Sequence, residues 1–163
     1  MSCVSWCNYN AGIVPEKNDP DSALLTWEIE LSTFSNWLRN KILGHVFTGT
    51  VLVPPSALYI ACHSTACSAA TPGTELTDAN YTRTAVTFER VSDIKYWNPT
   101  ELSTAGFAGA ANVASMSIWD SPIAGGGNYY AFGNLTSTLE VAANKGIVWQ
   151  ANKVVVGLGE APT

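Results

Sequence analysis

The stretch Ala114–Leu135, ASMSIWDSPIAGGGNYYAFGNL, reads as two strands joined by a turn. Ala114, Met116 and Ile118 fall on one face of the first run, and Ser115, Ser117 and Trp119 on the other. In the second run, Asn128–Leu135, Tyr130 and Phe132 share a face, and Gly133-Asn134 offers an exit. This period of two marks strands with one buried face. The connector Asp120–Gly127 carries Asp120, Pro122 and Gly125–Gly127, residue types that cap locally, fix φ or permit φ > 0. It is turn chemistry. Without a following Lys-Ser/Thr or a helix to open, the glycine run is no phosphate cradle.

Similar runs extend outward from this hairpin. Leu58, Ile60 and Cys62 share one face of a strand over Ala57–His63. Tyr81–Val91 alternates, with Val86 and Phe88 inward and Arg83, Ala85, Thr87 and Glu89 outward. Further strands are expected within Asp93–Trp97, Thr138–Val141, Ile147–Ala151 and Lys153–Leu158, with Asn144-Lys145-Gly146 as a turn and Phe107 anchoring a Gly/Ala-rich segment. Ser64–Ala79 is a long small-residue loop, of a length that is either functional or flexible. A single helix is predicted over Thr26–Val46, capped by Ser32 or Thr33 and stopped near Gly44. Phe34, Trp37, Leu38, Ile42 and Leu43 would form a stripe packed on a sheet. With about seven short strands and no βαβ alternation, the expected fold is mainly β. It is an antiparallel β-sandwich or barrel-like sheet with one N-terminal amphipathic helix and an extended N-terminal arm. The expected division is an arm over 1–25 and one β-rich domain with its helix over 26–163.

The 163 residues are 47% apolar and only 13% charged, about half the usual charged fraction. Such a surface suggests cover by a second copy or a larger assembly, so a homo-oligomer is expected. A net charge of −5 with eight scattered Lys and Arg argues against a nucleic-acid partner. No segment reaches the roughly 18 apolar residues of a membrane span, and no membrane partner is expected. The N-terminus lacks a basic region followed by an apolar run, so folding in a cytosol with reduced thiols is expected. Met1–Ser22 is rich in Asn, Pro, Asp and Ser. Composition slightly favours a disordered tail. Trp6, Tyr9, Ile13 and Val14 argue instead for an arm whose anchors dock on a neighbour.

Chemistry is sparse. Cys3, Cys7, Cys62, His63 and Cys67 are enough soft ligands for a zinc site, but Cys62 and His63 would face opposite sides of a strand. A buried free thiol is the preferred reading of Cys62. His45 and His63 are the only histidines, and no G-x-S-x-G or H-E-x-x-H frame surrounds either. No catalytic residue, metal or other cofactor is assigned. Exposed aromatics serve interfaces at least as often as glycan platforms, which makes the outward rings expected of Trp119 and Tyr129 interface candidates.

The order of motifs resembles a known family. A short helix precedes Pro-Pro-x-x-Leu-Tyr-Ile-Ala at Pro54–Ala61, and Pro-Gly-Thr-Glu follows at Pro72–Glu75. Tyr-x-Arg-x-Ala-Val-x-Phe lies at Tyr81–Phe88, Ile-Trp-Asp with Gly-Gly-Asn at Ile118–Asn128, and Gly-x-Leu at Gly133–Leu135. Over about Leu31–Leu158 the chain is similar to small tailed-bacteriophage virion proteins labelled tail fibre proteins. The resemblance implies a non-enzymatic, β-rich virion component that contacts other capsid or tail proteins. The N-terminal extension and the Cys62-His63/Cys67 group depart from the family pattern. A long arm also suits capsid decoration, or cement. A receptor- or glycan-binding module at the tail tip is the alternative.

Overall fold

The computed structural model describes residues 33–157 together with the backbone of two short strands ahead of them. The strands are β1 (Leu24–Leu25), β2 (Ile29–Leu31), β3 (Thr33–Phe34), β4 (Leu58–His63), β5 (Thr84–Val86) and β6 (Glu89–Arg90). They continue as β7 (Lys95–Trp97), β8 (Leu102–Ser103), β9 (Ala111–Trp119), β10 (Tyr129–Val141), β11 (Val148–Trp149) and β12 (Val154–Gly157). The helix α1 spans Asn36–Thr48. A central sheet runs β3-β10-β9-β4-β5, a second runs β2-β12-β7-β6, and a third runs β1-β11-β8. Pairing is antiparallel throughout except where β1 joins β11 and β2 joins β12 in parallel. The mainly β fold with one N-terminal helix is the one the sequence implies.

The long β9–β10 hairpin is the axis of the central sheet, with Tyr129 opposite Trp119 and Ala131 opposite Ile118. Met116 and Ile118 face the main core, where they meet Ile60 of β4, Phe107, Trp149 and Val154. The opposite face is covered as well. There Ala61, Cys67, Trp119, Tyr129 and Phe132 form a second apolar cluster. Ser115 and Ser117, on this same face, are fully buried. The lid is the Ser64–Ala79 loop, so the expected one-faced burial is corrected to burial on both faces.

Two irregularities in β10 overturn local expectations. The register shifts between Tyr129 and Ala131, which places Tyr130 against the main core and Phe132 in the second cluster. An extra residue in one strand reverses the alternation beyond it, so the two rings do not share a face. A second shift, between Asn134 and Leu139, lets the strand run on to Val141. Gly133-Asn134 is therefore not an exit. The Asn134 side chain instead receives the loop, accepting from the Cys67 N–H at 2.8 Å and donating to the Cys67 carbonyl at 3.0 Å.

The expected strand Tyr81–Val91 is two strands in different sheets, with β5 beside β4 and β6 beside β7. Val86 is buried and Phe88 half-buried, but Arg83, expected outward, is buried. Phe107 is fully buried, as expected of an anchor. The helix also begins later than predicted, since Thr33 and Phe34 pair with β10 and only Asn36 onward is helical. Ser35 is its cap. The side-chain oxygen accepts from the Leu38 N–H at 3.2 Å, which satisfies a donor that has no partner inside the helix. Gly49, at φ 70°, ends it beyond Gly44.

Candidate interaction surface

Several bonds fix the root of α1. The Ser35 N–H donates to the Tyr130 carbonyl at 2.9 Å, and the Asn36 N–H to the Ala69 carbonyl at 2.7 Å. The Ser35 hydroxyl donates to the Tyr129 carbonyl. Trp37 packs on Tyr130 with ring centroids 4.9 Å apart, and Lys41 lies over the outer side of the Trp37 ring at 5.8 Å.

Beyond these turns the helix leaves the sheet. Among the described residues none of its side chains is buried. Ile42 and Val46, and Leu43 and Phe47, are four apart and share one face. Leu43 is 53% exposed, Val46 64% and Phe47 78%. Val51 and Val53, on the segment that returns to β4, are as exposed. The expectation of a helix packed along a sheet is corrected. With Phe34 outside the helix, the remaining apolar residues are spread round the cylinder, and the sheet takes only Trp37 and Leu38.

Leu38 also lines an open apolar cavity of about 500 Å³ between the central sheet and the β2-β12-β7-β6 sheet. Leu58, Phe88, Tyr130 and Val156 form its walls and Tyr96 its rim. Exposed helix face and cavity meet at Leu38, making one apolar surface.

The buried polar and charged side chains Arg83, His63, Ser115 and Ser117 lie elsewhere and hold the loops to the sheet. The Arg83 side chain is fully buried and forms a two-pronged pair with Glu75, Nε to Oε1 and Nη2 to Oε2, both at 2.8 Å. Nη1 donates to the carbonyls of Ser121 and Gly126 in the connector, and the guanidinium lies over Trp119 at 4.1 Å. Burial would raise the Glu75 carboxyl, but the Arg83 hydrogen bonds and charge outweigh it and hold the group below its ordinary range.

His63 is fully buried. Its Nδ1–H donates to the Gly73 carbonyl at 2.9 Å, leaving Nε2 to accept from the Ser117 hydroxyl at 2.6 Å. Ser117 in turn accepts from Trp119 Nε1–H at 2.7 Å. Burial is the main cause that lowers the His63 pKa. Cys67, Ser115, Thr65 and Gly73 make a parallel chain, in which Gly73 N–H donates to Cys67 Sγ at 3.1 Å. Although Ser117 and His63 are hydrogen-bonded, no substrate can reach a pair without surface. Among the described residues no group of three or more His, Cys, Asp or Glu could hold a metal, and no helix is long and apolar enough to cross a membrane.

Of the predicted interface residues, only Trp119 and Tyr129 lie among the described residues. Trp119 and Tyr129 are each 7% exposed and lie side by side under the loop, centroids 5.4 Å apart. Their expected outward direction is corrected, because the loop occupies the face they line. Trp6, Tyr9, Ile13 and Val14 lie outside the described residues. Sequence reasoning missed Val46, Phe47, Val51 and Val53. Their signal was apolar character continuing past Gly44 on both sides of the Gly49 stop.

A model of the family described as podophage GP4 fiber I protein gp80 matches residues 33–157. The chain belongs to this family. It is a tailed-phage fibre-type structural protein of the virion, and the motifs from Pro54 to Leu135 that carry the resemblance fall within the match. No curated protein matches the chain. In this gp80-family protein, the apolar surface around Leu38 is exposed among the described residues, and residues ahead of Thr33 lie outside the family match.

Proposed function

We propose that this gp80-family protein acts without catalysis, contacting other virion proteins and further copies of itself as a component of the tail fibre. The observation that carries this is the exposed apolar face of α1 joined to the open cavity at Leu38. A free-standing monomer gains nothing from holding Phe47 and Val46 in water, since each buried side chain of this size contributes about 1.5–3 kcal/mol. Large apolar patches of this kind mark interaction sites. The buried state of His63 and Ser117 supports a structural role for the polar residues. Burial of Trp119 and Tyr129 takes these two rings out of any glycan platform, which favours the structural reading.

Copy number and position on purified particles test the proposal. A few copies per particle, labelled at the tail by a tagged chain in electron microscopy, are expected. Hundreds of copies spread over the head would overturn the fibre assignment and make the protein capsid decoration instead.

A further inference from the structure

We propose that the N-terminal arm of this chain, residues 1–22, is what covers the exposed face of α1 and the mouth of the adjoining cavity. This deepens the proposed function by naming the occupant of the same surface.

The surface needs an occupant. Ile42, Leu43, Val46, Phe47, Val51 and Val53 are all large apolar residues left 36–78% exposed, and exposed apolar groups gathered in this way mark interaction sites. A helix of 13 residues is also marginal by itself in water and depends on packing for its stability. The sheet supplies that packing only at Trp37 and Leu38.

The arm has the matching chemistry. It carries Trp6, Tyr9, Ile13 and Val14, apolar residues spaced so that successive anchors can enter successive gaps along a helix face. Its charges are Glu16, Lys17, Asp19 and Asp21, one positive and three negative, a net −2. Residues 36–53 carry Arg39 and Lys41 and no acid, a net +2. Arg39 is four residues ahead of Leu43 on the exposed face, in position to meet a carboxylate beside the anchors. A second copy of the helix would instead set two segments of net +2 against each other, so charge favours the arm.

Length and origin also fit. The arm enters the domain at β1, an edge strand of its sheet. Its 22 residues reach up to roughly 70 Å when extended. A domain of about 130 residues has a radius of gyration near 14 Å. The arm can therefore reach α1 of its own chain or of a neighbour.

Hydrogen exchange on the full chain tests the proposal. It compares the natural sequence with a variant carrying Trp6→Ser, Tyr9→Ser, Ile13→Ser and Val14→Ser, each at two concentrations. The expected result is at least tenfold faster exchange across residues 36–48 in the variant, with β9 and β10 unchanged. Reciprocally, Leu43→Asp with Phe47→Asp should speed chymotryptic cleavage at Trp6 and Tyr9 at least tenfold. Equal exchange of α1 in both chains overturns the proposal. If it slows equally with concentration, a second copy covers the face; if it is fast in both at any concentration, the face is bare in the free chain. Light scattering on the same samples shows whether the arm stays within its chain. None of these outcomes bears on particle copy number, so the two proposals fail separately.

Discussion

At the scale of single residues the protein buries Arg83, His63 and Cys62 in bonded or apolar surroundings, and each carries a testable consequence. Arg83→Met leaves the half-buried Glu75 carboxylate without its cation, with only the Tyr81 hydroxyl and the Gly125 N–H still donating to it. Breaking a fully buried pair costs about 3–5 kcal/mol, and this partly exposed one should cost less. Chemical denaturation should show that loss. Adding Glu75→Gln should recover part of it, because the stranded charge is removed. Acid should act through His63 and Glu75 in the same direction. Burial lowers His63 from an ordinary value of 6.5, and Arg83 holds Glu75 below 4.5. In both windows the unfolded chain binds more protons than the folded one. Stability is therefore complete above about pH 6.5 and declines first as His63 is forced to charge, then below about pH 4.5 as Glu75 is. His63→Gln should flatten melting temperature between pH 7.5 and 5.5 and leave the lower loss in place. Burial, with a smaller contribution from Glu75, pushes the Cys62 thiol up to about 12. Native Cys62 should thus resist iodoacetamide at pH 8, with mass spectrometry detecting its alkylation only in denaturant. A buried thiol at Cys62 was legible in the sequence. Arg83 was not, since alternation reports which face a residue occupies but not whether a distant loop closes over that face.

At the scale of elements, hairpin and helix show how far local pattern reaches. Period two found β9 and the start of β10, because both faces of a strand are set by backbone geometry alone. It failed past Tyr129, where one added residue inverts the parity, and bulges have no dependable signature in one sequence. Helix limits failed for another reason. Ser32, Thr33 and Ser35 are all eligible caps, and only pairing of Thr33–Phe34 with β10 selects Ser35. Ser35→Ala should cost about 0.5–2 kcal/mol. It loosens α1 from β10 as well, because the same hydroxyl donates to the Tyr129 carbonyl. In the connector, Gly127 sits at φ 81°, and a Cβ there would lie 2.5 Å from Asp120 Oδ1. Asp120 already accepts from the Asn128 N–H at 2.6 Å. Gly127→Ala should therefore break that clasp. We expect a loss of about 1–3 kcal/mol, with NMR shift changes centred on residues 120–128.

At the scale of the whole molecule, composition pointed to a covered surface, and family membership gives the setting: a virion, in which neighbours are dense. Where the uncovered surface lies could not be read from composition. It depends on α1 leaving the sheet beyond Trp37 and Leu38. The parallel joins of β1 to β11 and β2 to β12 have a consequence in time. Among the described strands, β1 near the start is held by β11 near the end, across more than 120 residues, from Leu24 to Val148. Pairings so distant in sequence are slow to form. These two pairings cannot form until β11 and β12 have been made. A nascent chain arrested before Val148 should remain open to protease at residues 24–31, with resistance there appearing only once β11 and β12 have emerged. For a protein destined for a crowded assembly, that delay keeps the finished fold from existing before the whole chain does.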